Sequence, residues 1–499
     1  SSKSNAVVAS IPFTSIPDKE VNVTDEDIKK MYEQKKELFK QYSESRDIKY
    51  IGIQVTASPE DKAALEKEMK GYAAELEKSE SVAGIVNTSS SLIPYTTLPV
   101  SKTVFPRDIQ NALDSVSVGS VKGPYLNASD NTYNVIKLIA TTQAPDSVQY
   151  RAINCANVSL DAAKNTADSI IKAVAAGAKF EDIAKKYNQP AESQWLTAAQ
   201  YEGQNLDADN TKFIKAILNG TPNAVQKVDL AQNVVVIEVL ARRAMATKYD
   251  AAVIKRTIDF SKETYSKAYN AFSHFIASNN TLEEMEKNAA KSGYNVQERK
   301  DMFSYEHYVA GIPSTKEALR WVFDAKKGDI SQLYECGNND HLLIVCVTDI
   351  HPEGYRSTED PSVKEAVRNM VIREKKAEKI IASLKGKSVE QALANPAATK
   401  DTLNDININS YASVASTGAS EPVLAGGISF GKLNKNYGPV KGNNGVYVYQ
   451  VTGRTKTNDK YNQNQYEESV AESYLRYVGQ YTTDLYRKAN VKDRRYMYF

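Results

Sequence analysis

Apolar residues recur along this chain in two rhythms, and their succession outlines a fold. Strict alternation marks strands: "RDIKYIGIQV" (46–55) and "VQYRAINCANV" (148–158) read this way. Helical spacing follows each of them. "SPEDKAALEKEMKGYAAELEK" opens on a Ser58 cap, while "SLDAAKNTADSIIKAVAAG" opens on Ser159 and stops at Gly177, with a shorter helix "KFEDIAKKYN" behind it.

Four times the chain then reaches a similar ending, a turn followed by an apolar strand. The four are "GSVKGPYLNASDNTYNVIKL", "TPNAVQKVDLAQNVVVIEVL", "KGDISQLYECGNNDHLLIVCV" and "YGPVKGNNGVYVYQV". Measured from Val121, Val225, Ile330 and Tyr437, the steps are 104, 105 and 107 residues. So constant a step argues for repeated domains rather than a solenoid of small units. A strand, helices and a closing hairpin make an α+β domain with an antiparallel sheet. The third and fourth repeats keep the closing half without a first strand, and read as half-domains built onto helices.

Long amphipathic helices separate these units. "TDEDIKKMYEQKKELFKQY" carries a Thr24–Asp27 arrangement close to a capping box, and further helices are expected over 250–279 and 360–386. A last one, "NQYEESVAESYLRYVGQYTTDLYRKAN", precedes a strand-like tail, "VKDRRYMYF". Such helices need a partner surface, most simply each other. The divisions fall at 1–43, 44–144, 145–246, 247–359, 360–459 and 460–499.

Composition narrows the function classes. With 499 residues the chain exceeds a single core, and 41% hydrophobic residues exclude disorder. Lys+Arg and Asp+Glu nearly cancel, leaving +2, and no basic run supplies a nucleic-acid footprint. No apolar stretch is long enough for a membrane span, and the first residues lack a signal-peptide layout. Three cysteines make no disulfide framework; a tight hairpin about "GNND" puts Cys336 opposite a residue near His341 rather than Cys346. The 30 tyrosines suit adaptable contact surfaces.

Candidate chemistry is sparse. His274, His307, His341 and His351 have no metal-ligand spacing, so no metal site is expected. Ser429 in "GISFG" matches a nucleophile-elbow pattern but is followed by the polar "KLNKNYGPV", which reads as a loop. Trp321 has the helical spacing of a core residue. Nothing resembles a phosphate loop or dinucleotide fingerprint, so no cofactor is expected.

The second repeat is the most specific stretch. "NTADSIIKAVAAGAKFEDIAKKYN", "WLT", "FIKAILNG" and "VVVIEVLARR" in this order resemble a parvulin-type peptidyl-prolyl isomerase domain. The flanks "SIPFTSIPDKEVNVTDEDIKKMYEQKKELFKQYSESRDIKYI", "GIPSTKEALRWVFDAKKGDIS" and "NMVIREKKAEKI" are similar to the chaperone module of the PpiD/SurA family of periplasmic folding factors, in an order nearer PpiD. The resemblance implies degenerate parvulin-like domains joined by helices, and a periplasmic location with a membrane helix upstream of Ser1. It implies unfolded or nascent envelope proteins as partners, with the secretion translocon a further candidate and a homodimer left open.

The family's catalytic groups do not carry over. Active parvulins place one histidine in the first strand, an Asp or Cys after the second helix, and a second histidine in the closing strand. Here those positions fall on Ala152, on Gln189 or Pro190, and on Val235; the other closing strands offer Asn134, Leu343 and Tyr447. Trp195, Leu196, Phe213 and Ile217 stand where a proline pocket would lie and are the client-binding candidates. The expected function is ATP-independent binding of unfolded chains, with an active isomerase or an envelope scaffold as alternatives.

Overall fold

The closing strand of the first repeat does not end with its hairpin. In the computed structural model, which describes residues 2–456 and 462–493, Thr132–Asn154 runs on for 23 residues. It pairs antiparallel with Val234–Thr257, of 24 residues. This ribbon organises one compact unit, Gln54–Phe275; the other comprises Ser1–Ile53 and Ile276–Phe499. Each holds two mixed helix–sheet lobes, so the architecture is α+β and multidomain.

Within Gln54–Phe275, alternate residues of the ribbon reach opposite faces and both faces are covered. In the first lobe Met69, Leu76 and Val86 pack on Val135, Ala252 and Ile254. On the other face Ile109, Ala112 and Leu113 meet Ile136, Leu138, Ala251 and Val253. In the second lobe Ala163, Ala167 and Ile170 of helix Leu160–Ala175 cover Ile153, Val234 and Val236. Helix Ala208–Asn219 covers the face of Val148, Tyr150 and Ile237. Where the lobes meet, Lys248 is fully buried and donates to Glu202 Oε1 at 2.7 Å and Ser101 Oγ at 2.6 Å. A charge so deep persists because it is paired.

The other unit contains two four-stranded sheets. One runs Tyr334–Cys336, His341–His351, Ser45–Gln54, Gln297–Phe303; the other runs Thr399–Ile406, Ser2–Pro12, Gly445–Lys456, Asn436–Lys441. Helix Lys316–Asp324 buries Leu319 and Val322 against Ile48, Leu343 and Val345, with Trp321 partly buried at the margin. Helices Asp25–Lys35 and Pro361–Leu384 pack through Ile28, Val363 and Val367, and Lys375 donates to Asp27 at 2.6 Å. The capping box of Thr24 and Asp27 is formed.

The strands are shared out differently from the order of the repeats. Residues 46–55, expected to begin the first repeat, lie in the sheet of the third lobe as Ser45–Gln54. The first lobe takes instead the far half of Val234–Thr257, and the fourth is completed by Ser2–Pro12. The third and fourth lobes are therefore full sheets, not half-domains. An alternating strand presents the same apolar face from any point in the chain, so its partner is chosen by register rather than proximity. The added cost of closing a longer loop grows only logarithmically.

Three local expectations change with this. The helix foreseen over 250–279 starts only at Lys262; residues 250–257 are strand, drawn there by the run Ala252, Val253, Ile254. "GISFG" lies not in a loop but in helix Pro422–Phe430, where Ser429 Oγ donates to the Ala425 carbonyl at 2.6 Å. In the tail foreseen as strand, residues 491–493 form none, and 494–499 lie outside the described residues.

Candidate functional site

The second-lobe positions converge as strand register requires. Ala152 pairs with Ile237, and Val235 with Asn154, which sets Ala152 and Val235 diagonally on one face. They share one apolar cluster with Leu196, Phe213 and Ile217 beneath helix Ala208–Asn219. Ile217 is 0% exposed and so floors the cluster instead of presenting a contact surface. Trp195 turns to the opposite side, half-buried, with the Arg243 guanidinium 4.1 Å from its ring centroid. Gln189 stays at the end of helix Phe180–Lys186, its N–H donating to the Ala184 carbonyl at 2.9 Å. Among the described residues the Ala152–Val235 cluster contains no histidine, carboxylate or thiol; its polar handle is the Tyr150 hydroxyl, which accepts from Gln194 Nε2 at 2.8 Å.

The corresponding position of the first lobe is polar, on a face otherwise filled by Ile136, Leu138, Ala251 and Val253. Asn134 pairs across the ribbon with Lys255, whose ammonium reaches Asp130 at 2.6 Å, Asp108 at 2.9 Å and Asn134 Oδ1 at 3.3 Å. Burial by itself would lower this ammonium's pKa, but Asp130 and Asp108 outweigh it and hold it above the usual lysine value. Tyr125 beside them is pushed up to about 12, chiefly by burial and then by the two carboxylates. Asn134 was visible in the sequence as the occupant of a closing-strand position. Its partner was not, because that strand arrives from more than a hundred residues downstream.

In the fourth lobe Tyr447 pairs with Ser10, and its hydroxyl donates to fully buried Glu421 at 2.7 Å. Burial first, and then this carboxylate, raise the phenol's pKa. Leu343 fills the equivalent place in the third lobe with hydrocarbon. At the four closing-strand positions, Val235 and Leu343 are apolar, Asn134 meets a lysine–carboxylate group and Tyr447 meets a buried glutamate.

Beside the first-lobe face opens a cavity of about 250 Å³, lined among others by Leu92, Leu98, Val104, Phe105 and Tyr249. Among the described residues, no histidine, carboxylate or cation lines it. Tyr249 and Ala251 stand on the same sheet face as Val253 and Lys255, so the cavity continues that face. The other unit has a wider cleft of about 1300 Å³, with Phe39, Tyr42, Phe303, Tyr305 and Tyr486 among its walls, and Arg356 and Arg487 between them.

His274 and His307 are exposed, the latter edge-on to Tyr308. His341 Nδ1 lies 2.7 Å from Asp340. Cys336 pairs with His341 across the hairpin; all three cysteines are free and buried, and burial pushes Cys336 up to about 11. Asp47, Asp301 and His351 bring ligand-type atoms within 4.8 Å of one another, a cluster the sequence did not reveal because three distant segments build it. Arg356 stands among them, 2.6 Å from Asp301 and 3.1 Å from His351 Nε2, so the protein supplies the cation itself.

Residues 133–243 match one family model of the PPIC-type PPIASE domain, and residues 23–152 match another. No curated protein matches the chain significantly. The chain therefore carries two PPIC-type, parvulin-like domains by sequence. The matches follow sequence order: the one over 23–152 includes Ser45–Gln54, which lies in the third lobe's sheet.

Proposed function

We propose that this protein is a folding factor of the PpiD/SurA type. It holds unfolded or newly translocated envelope proteins without ATP, on PPIC-type domains that serve as surfaces rather than catalysts. The observation that carries this reading is the apolar, histidine-free state of the Ala152–Val235 face within a matched isomerase domain. Rotation about an X–Pro bond faces a barrier of about 18–20 kcal/mol. Lowering it requires polar groups that favour the twisted amide over the planar one, and these positions hold hydrocarbon. The apolar cavity and the aromatic cleft remain suited to client side chains, and several weak contacts on one chain raise each other's effective concentration. A periplasmic location and an upstream membrane anchor belong to the same proposal.

The test pairs two assays. Isomerisation of an Ala-Pro-Phe-type peptide is expected at the uncatalysed rate, against an active parvulin as control. In parallel, the chain is expected to slow aggregation of an unfolded client, and Thr96→Trp, which fills the cavity from its rim, to weaken that effect severalfold. Acceleration that disappears in His307→Ala would make the protein an isomerase. Failure to delay aggregation of any unfolded envelope protein would favour a scaffold.

A further inference from the structure

The two lobes of Gln54–Phe275 repeat one strand arrangement and differ at one place on its edge. Each closing strand meets the far half of the ribbon through a register shift, after Leu138 in the first lobe and after Val239 in the second. Superposing the shifts aligns the pair Leu138–Ala251 with Val239–Tyr150, and Asn134–Lys255 with Val235–Asn154. Ala251 therefore stands where the second lobe has Tyr150. In the second lobe, strand Gln194–Thr197 covers this edge: Gln194 pairs with Tyr150 and Leu196 with Val148. The Tyr150 ring lies edge-on to Phe213, with centroids 5.9 Å apart. In the first lobe the covering segment is interrupted. Val100 exchanges both backbone bonds with Tyr249, at 3.0 and 2.7 Å, and the Leu92 N–H donates to the Lys255 carbonyl at 2.9 Å. Leu98, next in register opposite Ala251, makes neither bond. Its carbonyl accepts from Thr96 Oγ1 at 3.3 Å, and its side chain packs with Ala198, Tyr201 and Ile214.

Edge-facing backbone groups alternate along an antiparallel strand. Tyr249 and Lys255 use theirs, and the Val253 carbonyl accepts from Ser91 Oγ at 2.9 Å. Across the ribbon Leu138 turns its own groups away from Ala251, to Gly119 and Ser120. The N–H and C=O of Ala251 thus face the edge, and among the described residues nothing pairs with them. Ala251 is only 7% exposed, and it lines the apolar cavity of about 250 Å³. A buried backbone donor and acceptor need partners. A residue in extended conformation returns both at once and carries a side chain onto the same face. We propose that Ala251 is a strand-pairing site. One extended residue of a client chain exchanges both backbone bonds with Ala251 and lodges an apolar side chain in the cavity, in the room that the Tyr150 ring takes in the second lobe. The site deepens the folding-factor reading and rests on it for the source of the peptide. Proline is excluded at the paired residue because it brings no N–H, so the site rejects the residue an isomerase must hold.

The probe is acetyl-Ser-Thr-Phe-Thr-Ser-amide, whose single apolar side chain fixes the register. Its binding to the full chain is measured together with hydrogen exchange at Ala251. The peptide is expected to slow exchange at Ala251 and to leave the Tyr249 amide, already bonded, unchanged. The same peptide with the phenylalanine nitrogen methylated keeps the ring and loses the donor, and is expected to bind about tenfold more weakly. Ala251→Tyr, which restores the second lobe's residue, is expected to abolish binding while the melting of the unit is retained. Equal affinity of the two peptides for the unaltered chain overturns the proposal, as does exchange at Ala251 that the peptide leaves unchanged. Protection of both Leu98 and Ala251 in the chain alone also overturns it, because the segment then closes the gap itself. Pairing at Ala251 in a chain that fails to delay aggregation would sink the folding-factor reading and keep this site. Delayed aggregation with no change at Ala251 would do the reverse.

Discussion

At the scale of single residues, the deepest charges hold structure rather than perform chemistry. Lys248 sits at 0% exposure with Glu202 at 2.7 Å, and breaking such a pair leaves an unsatisfied ion inside the protein. Glu202→Gln is expected to destabilise the Gln54–Phe275 unit by about 3 kcal/mol, a fall of roughly 6–12 °C in its melting by calorimetry. Lys248→Met with Glu202→Leu together should recover much of that loss. Asp360 gives a pH signature. Burial would raise its carboxyl, but Ser362 and Arg356 hold it at about 2. That lies below the unfolded carboxylate value of about 3.9, so its contribution is fully present above roughly pH 4 and is lost as pH falls toward 2. Melting curves of Asp360→Asn are expected to be lower at neutral pH and flatter between those limits; an unchanged acid limb would contradict this account.

At the scale of elements, the irregular points within the first hairpin strands Val121–Asn127 and Asn436–Lys441 show why two of the repeats can be read from sequence. Gly123 and Gly438 both adopt strongly positive φ, and a Cβ at either would strike a closing-strand carbonyl, of Asn134 or of Tyr447. That requirement keeps glycine ahead of proline in "KGPY" and "YGPV". The first strands impose no comparable local demand, since any alternating segment of the right length suffices. Ser2–Pro12 is the clearest case, with Val8 fully buried and paired to Tyr449. Val8→Asp would bury an unpaired carboxylate. It is expected to abolish hydrogen-exchange protection in Gly445–Lys456 while leaving Gln54–Phe275 protected. Retained protection in Gly445–Lys456 would mean that the fourth lobe stands without its N-terminal strand.

At the scale of the whole molecule, each unit is assembled from stretches that are distant in the chain. The third lobe joins Ser45–Gln54 to Gln297–Phe303 and His341–His351, and the fourth joins Ser2–Pro12 to Gly445–Lys456. Strands shared in this way tie the folding of early residues to the arrival of late ones. The four closing-strand positions differ in what fills them. A repeated scaffold with different fillings suits the proposed role better than a repeated catalyst would, because chains of varied sequence meet varied surfaces on it.

The periodic features are legible in the chain alone: four closing hairpins about a hundred residues apart, the capped helices, the apolar residues Leu196, Phe213 and Ile217, and the absence of histidine at Ala152 and Val235. Each is written in neighbouring residues, where period and turn chemistry act. Tertiary structure decided which strand completes which sheet, and hence that Lys255 faces Asn134 and that Arg356 stands among Asp47, Asp301 and His351. It also decided that Trp195 turns away from the cluster and that Ile217 lies beneath it. The reason is physical. Strand pairing depends on register and on an apolar face, both of which several segments offer equally well, so the choice among them rests on how whole lobes pack.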